Sequence, residues 1–264
     1  QPEEPTIEAQ VEAYRGVLEA FPGKKVVVRT LDAGADKPLP FLTDSTEANP
    51  ALGVRAYRTA RRDPEVLEHQ LQALAKAEAV TSAKVWVMAP MISTADEAKA
   101  FTDQARAHGL KIAGMMIEVP SAALMADKMF EHADFASIGT NDLTQYVMAA
   151  DRLLSSLAYL STGWQPAVLR LIKAACDGAA PHGRPVGVCG EAAADPALAV
   201  VLVGLGVASL SMTARALPDV DAVLKSVDLA DCRRLAQIAI DSRTAEDARA
   251  AVRAELPVLE ELGL

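Results

Sequence analysis

Cysteine is scarce in this sequence and has no regular spacing. Cys176, Cys189 and Cys232 are odd in number and form no CxxC pair. That disfavours both a disulfide framework and a cysteine-rich zinc site, and fits a reducing compartment best. Basic residues are also few, 26 Lys and Arg against 35 Asp and Glu, for a net charge of −9. A uniformly acidic surface attracts neither nucleic acid nor an anionic membrane. An anionic ligand must therefore meet a local basic cluster, which works because charges beyond about 8 Å are largely screened at physiological salt. No apolar run is long enough to cross a bilayer. The stretch from Ala197 to Leu210 is interrupted by glycine and falls short of the roughly 20 residues a span needs. The opening Gln-Pro-Glu-Glu-Pro has no basic n-region or apolar h-region, so a cytoplasmic protein without membrane or nucleic-acid partners is expected. The four histidines share no triad or HExxH spacing. His108-Gly109 and His182-Gly183 read as helix exits, and all four histidines are taken as structural or surface residues.

What is abundant is apolar side chain, 51% of 264 residues, enough for a sizeable core. Its periodicity alternates along the chain. Ile7 to Phe21 has helical spacing and ends at Pro22-Gly23, and Lys25 to Arg29 is a β-branched strand. A long strand-exit loop, Thr30 to Leu42, follows. Asp63-Pro64 opens a helix carrying Leu67, Leu71 and Leu74. Lys84 to Ala89 is a strand, and the capping box Thr94 to Glu97 starts the next helix. Strands over 111–117, 135–138, 186–188 and 208–212 alternate with helices over 122–130 and 166–180 and one opened by Asp195-Pro196, and the last 45 residues are helical. Parallel neighbours need crossover connections, so strand–helix alternation predicts a parallel sheet with covering helices. About six strands are credible; a (β/α)8 TIM-type barrel is the leading architecture, ahead of a doubly wound sheet. No boundary divides residues 1–264, which read as one domain.

Polar residues gather at the strand ends. Arg29 ends "VVVR", Glu118 ends "GMMIE", Asn141-Asp142 follow "FASIGT" and Cys189 ends "VGVC". Parallel α/β folds place their active sites at such C-terminal strand ends. Glu118 and Asp142 could be an acid/base pair, a hard-metal site for Mg²⁺, or two solvated loop carboxylates. Arg29, Arg55 and Arg152 suit phosphate or carboxylate, since a guanidinium donates two parallel hydrogen bonds; Arg61, Arg62, Arg233 and Arg234 read as ordinary surface residues. The Gly-Thr-Asn-Asp run at a helix start is either an anion-binding element or a simple cap. Cys189 could be core, ligand or reagent.

Taken together, "RTLDAGADKPLP", "NPALGVRAYR", "MAPMI", "MMIEVPSAAL", "DFASIGTNDLTQYVMAADR", "GVCGEAAADP" and "LVGLGVASLSMT" occur in the order found in enzyme I, the phosphoenolpyruvate-protein phosphotransferases of the bacterial sugar phosphotransferase system. The chain resembles their C-terminal phosphoenolpyruvate-binding and dimerisation half. No "SHxAI"-type segment matches the N-terminal half, which carries the phosphorylatable histidine and docks the histidine-containing phosphocarrier protein. The resemblance implies an eight-stranded barrel, a homodimer, and Mg²⁺ on Glu118 and Asp142. It implies phosphoenolpyruvate contacts from Arg29, Arg55, Asn141, Arg152 and the Asp142 backbone, with Cys189 as proton donor in forming pyruvate. It implies transfer of the phosphoryl group to the enzyme histidine, a reaction the domain does not turn over alone. The proton-donor role fits a thiol beside carboxylates: no second thiol is available for a soft-metal site, Mg²⁺ prefers oxygen, and a thiol near pKa 8.5 is mostly protonated at neutral pH, kept so by nearby anions while arginines pull the other way. Gln72, Lys76, Leu154 and "YLSTGWQP" depart from the family pattern outside the ligand set. The rival readings are the equivalent domain of pyruvate phosphate dikinase or phosphoenolpyruvate synthase, and a noncatalytic phosphoenolpyruvate-sensing dimerisation module.

Overall fold

The computed structural model describes residues 3–34 and 37–264. Ala35 and Asp36 of the predicted strand-exit loop, and Gln1 and Pro2, lie outside the described residues. The chain forms two compact units, Gln1–Met116 with His132–Asp134, and Ile117–Glu131 with Phe135–Leu264.

In the first unit α1 (Ile7–Glu19) starts from Thr6, whose hydroxyl accepts from Ala9 N. β1 (Lys25–Arg29), β2 (Lys84–Ala89) and β3 (Ile112–Ile117) follow one another in parallel. Between the first two strands runs α2 (Pro64–Ala79), which packs on α1 through its Leu67, Leu71 and Leu74 face. Asp63 precedes Pro64 as predicted but makes no side-chain cap, because its carboxylate is taken by Arg62 Nε at 2.6 Å. The capping box on α3 (Ala95–Ala107) forms in full, with Thr94 and Glu97 exchanging bonds with each other's backbone. Among the described residues, the predicted loop after β1 has no regular element beyond a bridge between Gly34 and Lys37.

The second unit repeats the pattern with β4 (Ala136–Gly139), β5 (Val186–Cys189) and β6 (Ser209–Ser211), again parallel and in chain order. The helix expected over 122–130 is two short ones, α4 (Pro120–Leu124) and α5 (Ala126–Met129), because Met125 leaves helical geometry. α6 (Thr140–Met148) starts directly from β4, and α7 (Pro166–Ala179) follows. The short α8 (Glu191–Ala194) precedes α9 (Pro196–Leu205), which Asp195 caps by accepting from Ala197 N and Leu198 N. A helix apolar all round belongs inside a core, and α9 is buried on nearly every face. Four further helices, α10 (Leu217–Lys225), α11 (Leu229–Asp241), α12 (Ala245–Ala254) and α13 (Val258–Leu262), complete the chain. α9 meets α11 so closely that a Cβ on Gly204 would lie 2.0 Å from Cys232 O. Among the described residues no helix is long and apolar enough to cross a membrane.

The expected α/β fold with six parallel strands is present. Neither unit has the reversal of strand order that defines a doubly wound sheet.

Candidate active site

Arg29 and Arg55 fall in the first unit, where one buried carboxylate ties them together. Asp32, three residues past the end of β1, has a side chain 1% exposed. Arg55 Nη2 donates to both of its oxygens, at 2.9 and 3.2 Å, and Arg55 is itself fully buried. Lys37 Nζ donates to Oδ2 at 3.1 Å, and Arg29 Nη1 stands 3.6 Å from the same oxygen. Burial alone would push the Asp32 carboxyl up. The Arg55 charge and hydrogen bond, then Lys37, outweigh burial and hold it below the usual carboxylate range. Removing one partner from a buried ion pair costs on the order of 3–5 kcal/mol, so Asp32 and Arg55 depend on each other. The loop is held from behind by Gln70 of α2, whose Oε1 accepts from Leu31 N and whose Nε2 donates to Tyr14 of α1. Burial raises the Tyr14 pKa.

The other predicted residues, Glu118, Asn141, Asp142, Arg152 and Cys189, fall in the second unit. Glu118, just past β3, is 2% exposed and lies against Gly139, the last residue of β4. A Cβ on Gly139 would meet Glu118 Oε1 at 2.5 Å. Parallel pairing places Gly139 level with Cys189, whose thiol donates to Ile138 O at 3.4 Å. Cys189 is partly accessible, unlike the buried Cys176 and Cys232. The chain then turns at Gly190 with φ +99°, a backbone shape suited to glycine. The turn packs on α6: a Cβ on Gly190 would lie 3.1 Å from Thr140 Oγ1 and 3.5 Å from Asn141 Oδ1, and Thr140 Oγ1 donates to Cys189 O at 3.2 Å. Asp142, 5% exposed, lies in the first turn of α6, where the helix dipole favours a negative charge.

Asn141 and Arg152 line a cavity of about 430 Å³ together with Thr140, Thr144, Ser161 and Glu191. Arg152 is set by its backbone N–H, which donates to Gln145 Oε1 at 3.0 Å. Ser161 Oγ is buried in this wall without a partner among the described residues. No group of three His, Cys, Asp or Glu suited to a metal occurs among the described residues. Glu118 and Asp142 are both buried carboxylates, the donor type of which Mg²⁺ takes one or two from protein before completing its octahedron with water and phosphate oxygens.

Asp32, Lys37, Thr140, Ser161 and Glu191 were not singled out from sequence, nor was the packing role of Gly139. Asp32 and Lys37 follow Arg29 in "RTLDAGADK", so proximity was a signal for them; nothing in the pattern marks Ser161. His108 and His182 stand at helix ends, as expected. His69 pairs with Glu4, His108 with Glu68, and His182 bonds the Asp127 carbonyl.

Parallel α/β units with charged residues at their strand ends are the architecture of α/β enzymes. Residues 1–229 match the family described as PEP-utilising enzyme, PEP-binding domain, and the chain belongs to that family. It is 53% identical over 253 residues to a phosphoenolpyruvate-protein phosphotransferase of Streptomyces coelicolor, covering 96% of this chain and 46% of that protein. It is 41% identical over 255 residues to the protein of the same name from Staphylococcus carnosus, covering 92% and 44% respectively. A multiphosphoryl transfer protein of Xanthomonas campestris pv. campestris is 45% identical over 253 residues, 93% of this chain and 30% of that one. The chain thus spans about half the length, or less, of the curated relatives it matches.

Proposed function

We propose that this chain is the phosphoenolpyruvate-binding part of an enzyme I, holding phosphoenolpyruvate with Mg²⁺ while its phosphoryl group passes to a histidine on a separate N-terminal half. The observation that supports this best is the packing in the second unit, where Glu118, Gly139 and Cys189 are neighbours and Asn141 lies against the turn that follows. In this reading Glu118 and Asp142 hold the metal. Arg29, Arg55, Asn141, Arg152 and the Asp142 backbone bind the substrate, each charge-assisted bond contributing on the order of 1.5–3 kcal/mol. Held by Glu118 and Asp142, Mg²⁺ would supply positive charge to offset the negative charge of the substrate. The residues place the phosphate and neutralise it, which is most of what phosphoryl transfer needs. Cys189 then delivers its thiol proton to the methylene carbon and pyruvate leaves.

The same reading makes residues 1–264 one cytoplasmic domain that dimerises, serves the first step of sugar uptake, and reaches the histidine-containing phosphocarrier protein through the N-terminal half. Its six strands belong to a (β/α)8 barrel. Closure would need two strands beyond these six, to cover β1 and β6, whose residues alternate between exposed and half-buried.

Calorimetric titration of phosphoenolpyruvate with and without Mg²⁺ tests the proposal. Mg²⁺-dependent heat is expected, and its absence at millimolar ligand would reject binding. Adding the separate N-terminal half should restore phosphorylation of its histidine from phosphoenolpyruvate. Phosphorylation that requires ATP would instead identify the dikinase or synthase, and binding without any transfer would identify the sensing module.

A further inference from the structure

Three cationic side chains, Arg55, Arg29 and Lys37, gather on the one Asp32 carboxylate just past the end of β1. The four residues differ sharply in access. Asp32 and Arg55 are 1% and 0% exposed, whereas the side chains of Arg29 and Lys37 are 44% and 37% exposed. A buried inner pair therefore carries two outward-facing cations that share one anchor oxygen, Oδ2.

We propose that Asp32 is a positioning residue for anion binding in this unit, and that Lys37 is a further phosphate- or carboxylate-contacting cation set by it. This rests on the phosphoenolpyruvate reading above. Long cationic side chains lose rotamer freedom when they bind a ligand; an anchor oxygen that already restrains Arg29 and Lys37 reduces that loss. The same carboxylate fixes the direction of the Arg55 guanidinium.

Charge and position predict opposite signs, which makes the proposal testable. Asp32→Asn removes a negative charge beside the cations, so Coulomb attraction alone would tighten anion binding. Positioning predicts weaker binding. Asp32→Glu keeps the charge and moves it by one methylene; attraction alone leaves affinity unchanged, and positioning again predicts loss. The full chain and both variants are titrated with phosphoenolpyruvate and, separately, with inorganic phosphate. Thermal midpoints are followed, and NMR tracks the Arg29 Nε and Lys37 Nζ signals. The expected result is at least tenfold weaker binding in both variants, with the two signals no longer shifting together on phosphate addition. Wild-type or tighter binding in either folded variant overturns the proposal. Should Asp32 variants not fold, Lys37→Met tests the contact: several-fold weaker binding at an unchanged thermal midpoint supports it, and unchanged affinity overturns it. A wild-type chain that binds neither probe overturns the phosphoenolpyruvate reading and this proposal together, whereas a wild type that binds beside unaffected variants overturns this proposal alone.

Discussion

Gly139→Ala is a small change that should disable the proposed metal site without removing either proposed ligand. The new Cβ would sit 2.5 Å from Glu118 Oε1, 2.7 Å from its Cγ and 3.0 Å from its Cδ. Ordinary van der Waals contact begins at 3.4 Å, so the carboxylate must retreat by about 0.9 Å or the end of β4 must move. Glu118 is 2% exposed and has little room for either. Overpacking of this kind costs about 1–3 kcal/mol in stability. The larger effect falls on the ion, because Mg²⁺ requires oxygens at about 2.0–2.1 Å in near-ideal octahedral geometry. Disturbing the support of a ligand typically lowers metal affinity by about 10–100-fold, and that is the loss expected here. The assay is titration of phosphoenolpyruvate across a series of Mg²⁺ concentrations, with Glu118→Gln as comparator and the thermal midpoint recorded for each protein. Both variants should need far more Mg²⁺ than the wild type to reach the same heat. A folded Gly139→Ala protein with the wild-type Mg²⁺ dependence would refute the assignment of Glu118 as a ligand.

Cys189→Ala should leave phosphoenolpyruvate binding nearly intact and abolish proton exchange into the methyl group of pyruvate, followed by NMR in heavy water; wild-type exchange in the variant would remove Cys189 from the mechanism. Gly204→Ala pushes a methyl group into the Cys232 carbonyl at the α9–α11 crossing and should destabilise by about 3 kcal/mol. That corresponds to a fall of roughly 6–12 °C in Tm, and a fall of under 2 °C by calorimetry would show that the helices separate easily. Cys176 is 7% exposed, and burial, followed by the charge of Asp177, pushes its thiol up to about 12. At pH 8 only about 10⁻⁴ of it is thiolate, so alkylation by iodoacetamide, located by peptide mass spectrometry, should appear only when the protein is unfolded by urea. Rapid labelling of Cys176 in the native protein would contradict that.

Much of the fold is legible in the sequence because its signals are local. β-branched runs such as "KVVVR" and "KVWVMA" prefer extended backbone, and Thr94 and Glu97 satisfy each other's orphan amides within one turn. Asp195-Pro196 announces α9 for the same reason, since the capping carboxylate and the amides that donate to it lie within three residues. Local reading fails where a distant or competing partner decides. Asp63 has a good capping side chain but loses it to Arg62, and one break at Met125 divides a helix whose composition gives no warning.

The residue types of the site were also set by sequence: carboxylates, an amide, a thiol and guanidiniums at strand ends, in the motif order of enzyme I. Tertiary structure alone decided their environments. Burial is a property of the packed chain, so only the fold shows that Asp32 and Arg55 are enclosed and paired while Lys37 and Arg29 stay accessible. Likewise, "SIGTND" and "VCGE" are separated by about fifty residues, and only parallel pairing of β4 with β5 sets Gly139 level with Cys189. A glycine reads as turn chemistry in a sequence; at Gly139 its purpose is the missing Cβ, which leaves room for a carboxylate from another strand.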